Sequence, residues 1–275
     1  MRIALLTALL AVFSVLFARV DPSPAGEGIP VRRPVWVDNF TGRAGASPSA
    51  TRWGFDTGGG GWGSQELEYY TSRRRNARLD GHGHVQITAR AESFTGPDGV
   101  TREYTSARLQ TLHTFRFQYG LAEARIEVPA GQGLLPAFWM LGSDAYKPGG
   151  WPASGEIDAM EISGAHPTIL RGTLHGPWPF APAGMRVSTR APTPLSSGFH
   201  VYGVQWAPEA ISFLLDGVVY GTITPADLPQ GAPWPFQHPF FLLLDLAVGG
   251  ASVGAPGPLT RFPAKLLVDW VKVWQ

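Results

Sequence analysis

The sequence predicts an all-β fold in which two sheets pack face to face as a sandwich. Three observations carry this prediction. Glycine and proline are abundant, with 34 and 25 residues in a chain of 275, as turn-rich β folds require. Several short segments alternate between apolar and polar residues, which is the period of a strand. No long segment shows the apolar period of a helix, and a sandwich of this length is commonly one domain.

Individual strands follow from local patterns. Residues 85–89 and 122–128 alternate cleanly, with apolar side chains on one face. Residues 242–248 are apolar apart from Asp245, which indicates a strand buried on both faces. In chain order, we expect strands at 35–40, 85–89, 122–128, 213–215, 218–220, 242–248 and 266–274.

Two connections also carry information. Asp216-Gly217 separates two apolar runs, and this residue pair is a strong signal for a two-residue β-hairpin. Residues 177–198 contain several prolines and show no regular pattern. Because a loop of this length in a compact domain is usually functional, we expect it at the edge of a cleft.

Three acidic residues, Glu156, Asp158 and Glu161, occur in the short run EIDAME. On a regular strand, Glu156 and Asp158 share a face, whereas Glu161 lies on the other. One extra residue at Ala159-Met160, a β-bulge, would return Glu161 to the common face, and bulges are frequent beside active sites. The two glutamate carboxyl groups would then lie about 5–6 Å apart, as in a retaining glycosidase.

Electrostatics suggests separate roles for these acids. Three clustered carboxyl groups do not all ionise cheaply, so at least one keeps a proton near neutral pH. We expect this proton on Glu161, the acid for the leaving oxygen, with Glu156 as nucleophile and Asp158 orienting it. The alternative is an acidic surface strand, but that would include Lys and Arg, and this run is flanked by glycine, aromatic and apolar residues.

A histidine on the following strand extends the site. If the strand with the acidic run and the strand that ends at His175 form a hairpin that turns near Ala165-His166, His175 falls roughly opposite Glu156. The bulge can shift this pairing by one position. We expect His175 to hydrogen-bond the nucleophile or a sugar hydroxyl. The alternative is a structural histidine on a partly buried strand.

A series of short motifs runs along most of the chain: GWG at 61–63, ELEYYT at 66–71, TSARL at 105–109, YGLAEARI at 119–126, GQGLLPAFWMLG at 131–142, WPASG at 151–155, TLHG at 173–176, FHVY at 199–202, LAVGG at 246–250 and VDWVKV at 268–273. In these motifs and their order, the sequence resembles glycoside hydrolase family 16, in its bacterial laminarinase (endo-β-1,3-glucanase) branch. The resemblance implies a β-jelly-roll sandwich of two antiparallel sheets with a concave sugar-binding cleft. It also implies Glu156 as nucleophile, Asp158 as its helper and Glu161 as acid/base.

The sequence departs from this family at positions that border the cleft in relatives. Ser64 and Gln65 replace two Asn residues, Asp245 replaces another, and Ala251-Ser252 replaces an Asn-Trp pair. Mixed-linkage β-1,3-1,4-glucan and agarose therefore stay open as alternative substrates for the same catalytic residues. A sugar-binding module without catalysis is a third possibility, but relatives of that type lack the catalytic acids that this sequence retains.

Aromatic residues are expected to line the cleft, because the chain has 10 Trp and sugar rings stack on aromatic faces. We expect Trp62, Trp139 and Trp151 to contact substrate, with packing between the sheets as the alternative for Trp139. Arg108 is expected to hydrogen-bond a sugar hydroxyl, and an ion pair with a sheet neighbour is its alternative.

The resemblance also implies a structural Ca²⁺ site away from the cleft. Asp269 matches one ligand position of relatives, and the backbone carbonyl of Gly83 matches a second. Asn39 stands where Glu is more usual. Oxygen ligands suit Ca²⁺, although the loss of one charged ligand weakens such a site. The hydrolytic chemistry itself requires no cofactor.

Composition argues against other classes of protein. The net charge is +1 at pH 7, whereas nucleic-acid binding needs a strongly basic face. Cysteine is absent, so neither disulfides nor thiolate metal sites form.

Residues 1–25 predict an export signal that is removed. Arg2 supplies the positive end, residues 3–18 the apolar stretch and residues 23–25 a small-residue cleavage site. The stretch is too short for a convincing membrane span, and a retained anchor is the alternative. We therefore expect residues 26–275 to be one secreted, monomeric catalytic domain. It would act on a polysaccharide and hydrolyse internal β-1,3-glucosidic bonds of laminarin-like glucans with retention.

Overall fold

Alternating side chains along short strands build two sheets that bury their apolar faces against each other. The computed structural model describes residues 33–179 and 184–275, and the predicted export signal lies outside them. In chain order the strands are β1 (Trp36–Asp38), β2 (Gly54–Asp56), β3 (Glu68–Tyr70), β4 (Ala77–Leu79), β5 (Val85–Thr95), β6 (Thr101–Ser106), β7 (Arg108–Gln110), β8 (Gly120–Glu127), β9 (Leu134–Gly142), β10 (Glu156–Glu161), β11 (Ile169–His175), β12 (Met185–Arg190), β13 (His200–Ala207), β14 (Ala210–Leu215), β15 (Val218–Ile223), β16 (Phe240–Val248) and β17 (Ala264–Trp274).

These strands form a ten-stranded and a seven-stranded sheet. The order in the larger sheet is β15-β14-β13-β8-β17-β5-β6-β3, with β1 beside β17 and β4 beside β5. The order in the smaller sheet, which carries the acidic run, is β12-β11-β10-β9-β16-β7-β2. The predicted all-β sandwich is confirmed. One pairing departs from the expected antiparallel arrangement, because β3 runs parallel to β6.

The two sheets meet in one apolar core. Phe138 and Leu244 of the seven-stranded sheet and Phe213 of the ten-stranded sheet are fully buried in it. Phe241 and Leu243 lie on the other face of β16, where they form a second, smaller apolar cluster. The prediction that this strand is buried on both faces is therefore confirmed.

Most predicted strands occur at their expected positions, and the predicted hairpin joins β14 to β15. Its two turn residues, Asp216 and Gly217, have positive φ angles of 49° and 79°. Positive φ at both central positions is what a type I′ turn requires, so the hairpin prediction is confirmed.

The expectation of an irregular segment at 177–198 is wrong for part of that segment. Met185–Arg190 forms β12 and pairs antiparallel with β11, and Leu195–Ser197 forms a 3₁₀ turn. Met185 and Val187 pack against the core, while Arg186, Ser188 and Arg190, which alternate with them and with Thr189, are exposed. This alternation spans only a few residues in a segment that is rich in proline, so the run was too short to be recognised as a strand from the sequence. The strand is the outer edge of the seven-stranded sheet.

Residues 33–275 group into one compact unit. In the described part of the chain, no helix has the length and apolar character needed to cross a membrane.

Candidate active site

The acidic run occupies β10, and a bulge places its three acids on one face. The register of β10 against β9 shifts between Asp158 and Met160, so Ala159 is the extra residue. Ala159 and Met160 both lie in the core between the sheets. Because one extra residue reverses the alternation, Glu161 shares the outer face with Asp158 and Glu156. The predicted bulge is confirmed.

Both glutamates accept a hydrogen bond on this outer face. Trp151 donates from Nε1 to Glu156 Oε2 at 2.5 Å. Thr173 donates from its hydroxyl to Glu161 Oε2 at 2.9 Å. Thr173 is the residue of β11 that pairs with Asp158, so this contact links Glu161 to the strand beside it. The two bonds fix both glutamates on either side of Asp158.

His175 lies opposite Glu156, as the hairpin argument predicted. The two residues are paired in the register of β10 and β11. The Nε2 atom of His175 is 3.3 Å from Oδ2 of Asp158. The imidazole therefore sits beside the central acid of the run, and a contact with a sugar hydroxyl stays a prediction.

Asp158 is enclosed between the two glutamates, with a side chain only 5% exposed. Burial raises the pKa of Asp158 well above its ordinary value, and the charge of Glu156 raises it further, while the nearby imidazole of His175 opposes both effects. A protonated carboxyl group is a hydrogen-bond donor. The sequence predicts a proton on Glu161, and the structure adds Asp158 as a second candidate, because a neutral Asp158 sets a donor beside Glu156.

Arg108 lies between two indole rings next to the acids. Its guanidinium carbon is 4.7 Å from the ring centroid of Trp62 and 4.5 Å from that of Trp139. Its Nε lies 3.0 Å from Asp56 Oδ2, and its Nη2 donates to the Tyr146 hydroxyl at 3.2 Å. The ion pair given as the alternative for Arg108 is therefore present. With 6% of the residue exposed, Arg108 holds Trp62 and Trp139 in place, and a direct sugar contact stays a prediction.

Asp245 connects this aromatic group to the sheet. Trp139 donates from Nε1 to Asp245 Oδ1 at 2.6 Å, and the Tyr70 hydroxyl donates to Oδ2 at 3.0 Å. Burial raises the pKa of Asp245 to about 7, against the lowering effect of Arg108. Trp139 pairs with Asp158 across β9 and β10, so this network reaches the catalytic strand.

Two further acids, the half-buried Glu66 and the buried Glu68, were not predicted from the sequence as functional candidates. Burial raises the pKa of both acids, and the charge of Glu68 raises the pKa of Glu66 further. Glu68 is fully buried, and its Oε2 accepts a hydrogen bond from the Val248 amide at 2.7 Å. The available signal was the alternation of two acids with Tyr70 in ELEYYT, which puts all three on one side of a buried segment.

Ser64 and Ala251, two of the positions at which this sequence departs from the family pattern, contact each other. The Ala251 amide donates a hydrogen bond to the Ser64 carbonyl at 2.7 Å. Because Ser64 follows Trp62 closely in the chain, we call this part of the cleft edge the cleft rim. Trp62 has a positive φ of 47°, which is uncommon and strained for a bulky residue. By contrast, Trp151 is 45% exposed and lies on the acid side, with its ring 6.3 Å from that of His175.

The strands next to Asn39 and Gly83 pair with β17 near Asp269, the third residue predicted to bind Ca²⁺. Asp269 occupies the register shift between Val268 and Trp270. Asn39 directly follows β1, and Gly83 comes shortly before β5. Along β17, strand β5 pairs with the residues before Asp269 and strand β1 pairs with the residues after it. All three donors are oxygens, which fits Ca²⁺. Arg125 donates from Nη1 to Asp269 Oδ2 at 2.5 Å, so the only carboxylate of the set is shared with a guanidinium.

Two glutamates lie on one face of a jelly-roll sheet, beside a buried aspartate. This arrangement is typical of glycoside hydrolases that use a pair of carboxyl groups for catalysis. Residues 65–272 match the family described as Glycosyl hydrolases family 16, and the chain belongs to this family.

Relatives and solved structures agree with this assignment. The chain is 40% identical over 250 residues to a beta-glucanase of Rhodothermus marinus, covering 88% of this chain and 84% of the relative. It is similar to the structure of an endo-β-1,3-glucanase from Pyrococcus furiosus, with a TM-score of 0.83, 40% identity and coverage of 89% and 94% of the two chains. The laminarinase catalytic domain of Thermotoga maritima gives a TM-score of 0.82 at 36% identity, with coverage of 89% and 98%.

Proposed function

We propose that this protein is a retaining endo-glycosidase that hydrolyses internal β-1,3-glucosidic bonds of laminarin-like glucans. The observation that carries the proposal is the bulge at Ala159, which presents Glu156 and Glu161 on one face around the buried Asp158. Two acids on one face are the equipment for double displacement at a sugar. The two similar structures support the choice of substrate, because they are an endo-β-1,3-glucanase and a laminarinase.

In the first step, Glu156 attacks the anomeric carbon of the sugar that will become the reducing end. The bond from that carbon to the glycosidic oxygen breaks, and Glu161 gives its proton to this leaving oxygen. A covalent glycosyl ester forms on Glu156, and the aglycone chain departs with a free hydroxyl group.

In the second step, Glu161 is a carboxylate and takes a proton from water. The water oxygen attacks the anomeric carbon, and the bond to Glu156 breaks. Two inversions at one carbon restore the original β configuration, and Glu161 is protonated again for the next cycle.

The neighbours of the acids have positioning roles in this scheme. Trp151 holds Glu156 through its indole N–H, and Thr173 holds Glu161 through its hydroxyl. Burial and the charge of Glu156 raise the pKa of Asp158, which favours a neutral Asp158 and keeps a third negative charge out of the site. His175 packs beside Asp158 and supports its orientation.

The rings of Trp62 and Trp139 form the proposed sugar-stacking wall. Arg108 lies between them, and Asp245 fixes the Trp139 indole. Sugar rings bind to aromatic faces through their apolar C–H surfaces, with a few polar groups for orientation. The wall therefore defines where glucose units next to the cleaved bond would lie.

One experiment separates this function from its alternatives. The purified protein is incubated with laminarin, lichenan and agarose, and new reducing ends are measured, with Glu156→Gln as the control. Cleavage of laminarin that the control lacks supports the proposal. Cleavage of lichenan or agarose alone supports a different polymer, which the departures at Ser64 and Ala251 on the cleft rim keep open. Binding without cleavage would leave a sugar-binding module.

We also propose that Ca²⁺ binds weakly to Asn39, Gly83 and Asp269, as a structural ion distant from the chemistry. The pairing of Asp269 with Arg125 and the neutral Asn39 keep the affinity low. Since a ligand stabilises only the state that it binds, millimolar CaCl₂ should raise the melting temperature and a chelator should reverse it. Indifference to both would remove the metal from the account.

Export and the monomeric state belong to this proposal as well. The export proposal rests on the sequence, because residues 1–25 have the pattern of an export signal. Expression of the full chain, with recovery of a shortened protein from the medium, tests export, and gel filtration of that protein tests the monomer.

A further inference from the structure

Strands β10 and β11 together hold three side chains whose atoms can bind a metal, a combination that hydrolysis does not require as a set. One ligand atom each from Glu156, Asp158 and His175 lies within 4.8 Å of the other two. Across residues 33–179 and 184–275, no other three acidic or imidazole side chains come together in this way. The group combines one imidazole with two carboxylates, which differs from a purely acidic cluster.

The central member of this group is suited to a cation. Asp158 Oδ2 is buried and has no hydrogen-bond partner of good geometry among the described residues. It lies 3.3 Å from His175 Nε2. Ligands at about 2.0–2.1 Å from a tetrahedral Zn²⁺ are separated from each other by about 3.3–3.4 Å, so these two atoms already have the spacing of a zinc site.

Charge favours the same conclusion. Asp158 is buried between Glu156 and Glu161 on the face of β10 that the three acids share. A buried carboxylate beside like charges is costly unless a cation offsets it. A bound dication would be the largest local charge in such a site.

We propose that Zn²⁺, or a similar divalent transition metal, binds reversibly to Glu156, Asp158 and His175 and inhibits the enzyme. Glu156 closes onto the metal from the cleft side, and cleft water completes the coordination. The imidazole favours Zn²⁺, Cu²⁺ and Ni²⁺, whereas Ca²⁺ and Mg²⁺ prefer sites made only of oxygen. The metal occupies the lone pair of the nucleophile, so it competes with substrate.

Metal binding is tested first without substrate. Zn²⁺ is titrated into the purified protein in competition with a chromophoric chelator, and the melting temperature of each variant confirms its fold. His175→Gln removes the nitrogen ligand and should weaken binding at least about tenfold, since even outer partners of metal sites contribute about 10–100-fold. His84→Gln is the matched control: His84 also pairs with one carboxylate, Asp80, at 2.7 Å, but belongs to no three-residue group.

Unchanged Zn²⁺ affinity in His175→Gln, or absence of binding to the wild type, would overturn the proposal. The inhibition arm rests on the proposed hydrolysis, and it measures laminarin cleavage with increasing ZnCl₂, CaCl₂ and MgCl₂. We expect inhibition by Zn²⁺ alone, relief by excess chelator, and an inhibitory concentration at least tenfold higher in His175→Gln than in His84→Gln. If the chain does not cleave laminarin, the binding arm still decides the metal site.

Discussion

Trp151 and Glu156 are joined by a hydrogen bond of 2.5 Å from the indole Nε1 to the carboxylate Oε2. Trp151 lies outside the strand that carries the acids, in the connection between β9 and β10. Trp151 is 45% exposed, so one residue both orients the nucleophile and keeps an exposed aromatic surface for substrate. These two roles are separable by substitution.

Trp151→Phe should lower kcat more than it raises KM. Phenylalanine keeps an aromatic face but lacks the N–H that holds Glu156. A hydrogen bond to a charged group contributes about 1.5–3 kcal/mol, so we expect kcat to fall by about tenfold or more. Steady-state kinetics on laminarin provide the measurement. Trp270→Phe, on the other sheet, is the control, and equal kinetics for both variants would contradict the positioning role.

Glu161→Gln should be rescued by a substrate that needs no protonation of its leaving group. Loss of a general acid costs about 10²–10⁴-fold, so cleavage of laminarin should nearly stop. With an aryl β-glucoside that releases nitrophenolate, attack by Glu156 proceeds without an acid, but hydrolysis of the ester still lacks its base. We therefore expect a rapid burst of about one nitrophenolate per enzyme. Glu156→Gln should show no burst, and a burst in that variant would reverse the assignment.

Arg108→Met should destabilise the protein strongly. The substitution leaves Asp56 without its ion-pair partner and removes the cation between two indole rings. Breaking a buried ion pair from one side costs about 3–5 kcal/mol. Urea denaturation measures the free energy of unfolding. Arg190→Met, at an exposed position of β12, should change it by less than about 0.5 kcal/mol, and similar values for the two variants would show that the stacked guanidinium contributes little.

Asp245→Asn should reduce the dependence of stability on pH. The native pKa of Asp245 is raised to about 7, whereas an unfolded Asp titrates near about 3.9. Between these values the native state holds a proton that the unfolded state has lost, so stability falls as pH rises from about 4 to about 7. A pKa difference of about three corresponds to about 4 kcal/mol at most.

Asparagine retains a carbonyl for the Trp139 indole and cannot ionise. The difference in the free energy of unfolding between pH 5 and pH 8 should therefore be smaller in Asp245→Asn than in the wild type. The remaining dependence is assigned to Asp158, Glu66 and Glu68, whose pKa values are also raised by burial. An unchanged difference would show that Asp245 is ionised throughout this range.

The arrangement of the acids on β10 was predictable because it depends on residues that are close together in the sequence. The period of two and the odd spacing from Glu156 to Glu161 together require one extra residue, and the structure has it at Ala159. The pairing of Glu156 with His175 followed from the same counting along a hairpin. Both predictions depend only on covalent spacing and on the burial of the residues in between.

The network around Asp245 was not predictable, because its members are distant in the chain. Tyr70 and Asp245 are separated by 175 positions, and Trp139 and Asp245 by 106. Sequence patterns show which residues share a face of one strand, but not which strands become neighbours. For the same reason, Arg108 was expected to hydrogen-bond a sugar hydroxyl. Its burial between the rings of Trp62 and Trp139 became apparent only in the folded structure.

The configuration of the first product shows whether Glu156 acts as a nucleophile. Proton NMR follows the anomeric signals while the enzyme cleaves laminarin, before mutarotation mixes the anomers. With retention, the new reducing ends appear first as the β-anomer, and the α-anomer follows later. Initial formation of the α-anomer would mean a single displacement by water, and Glu156 would not be the nucleophile.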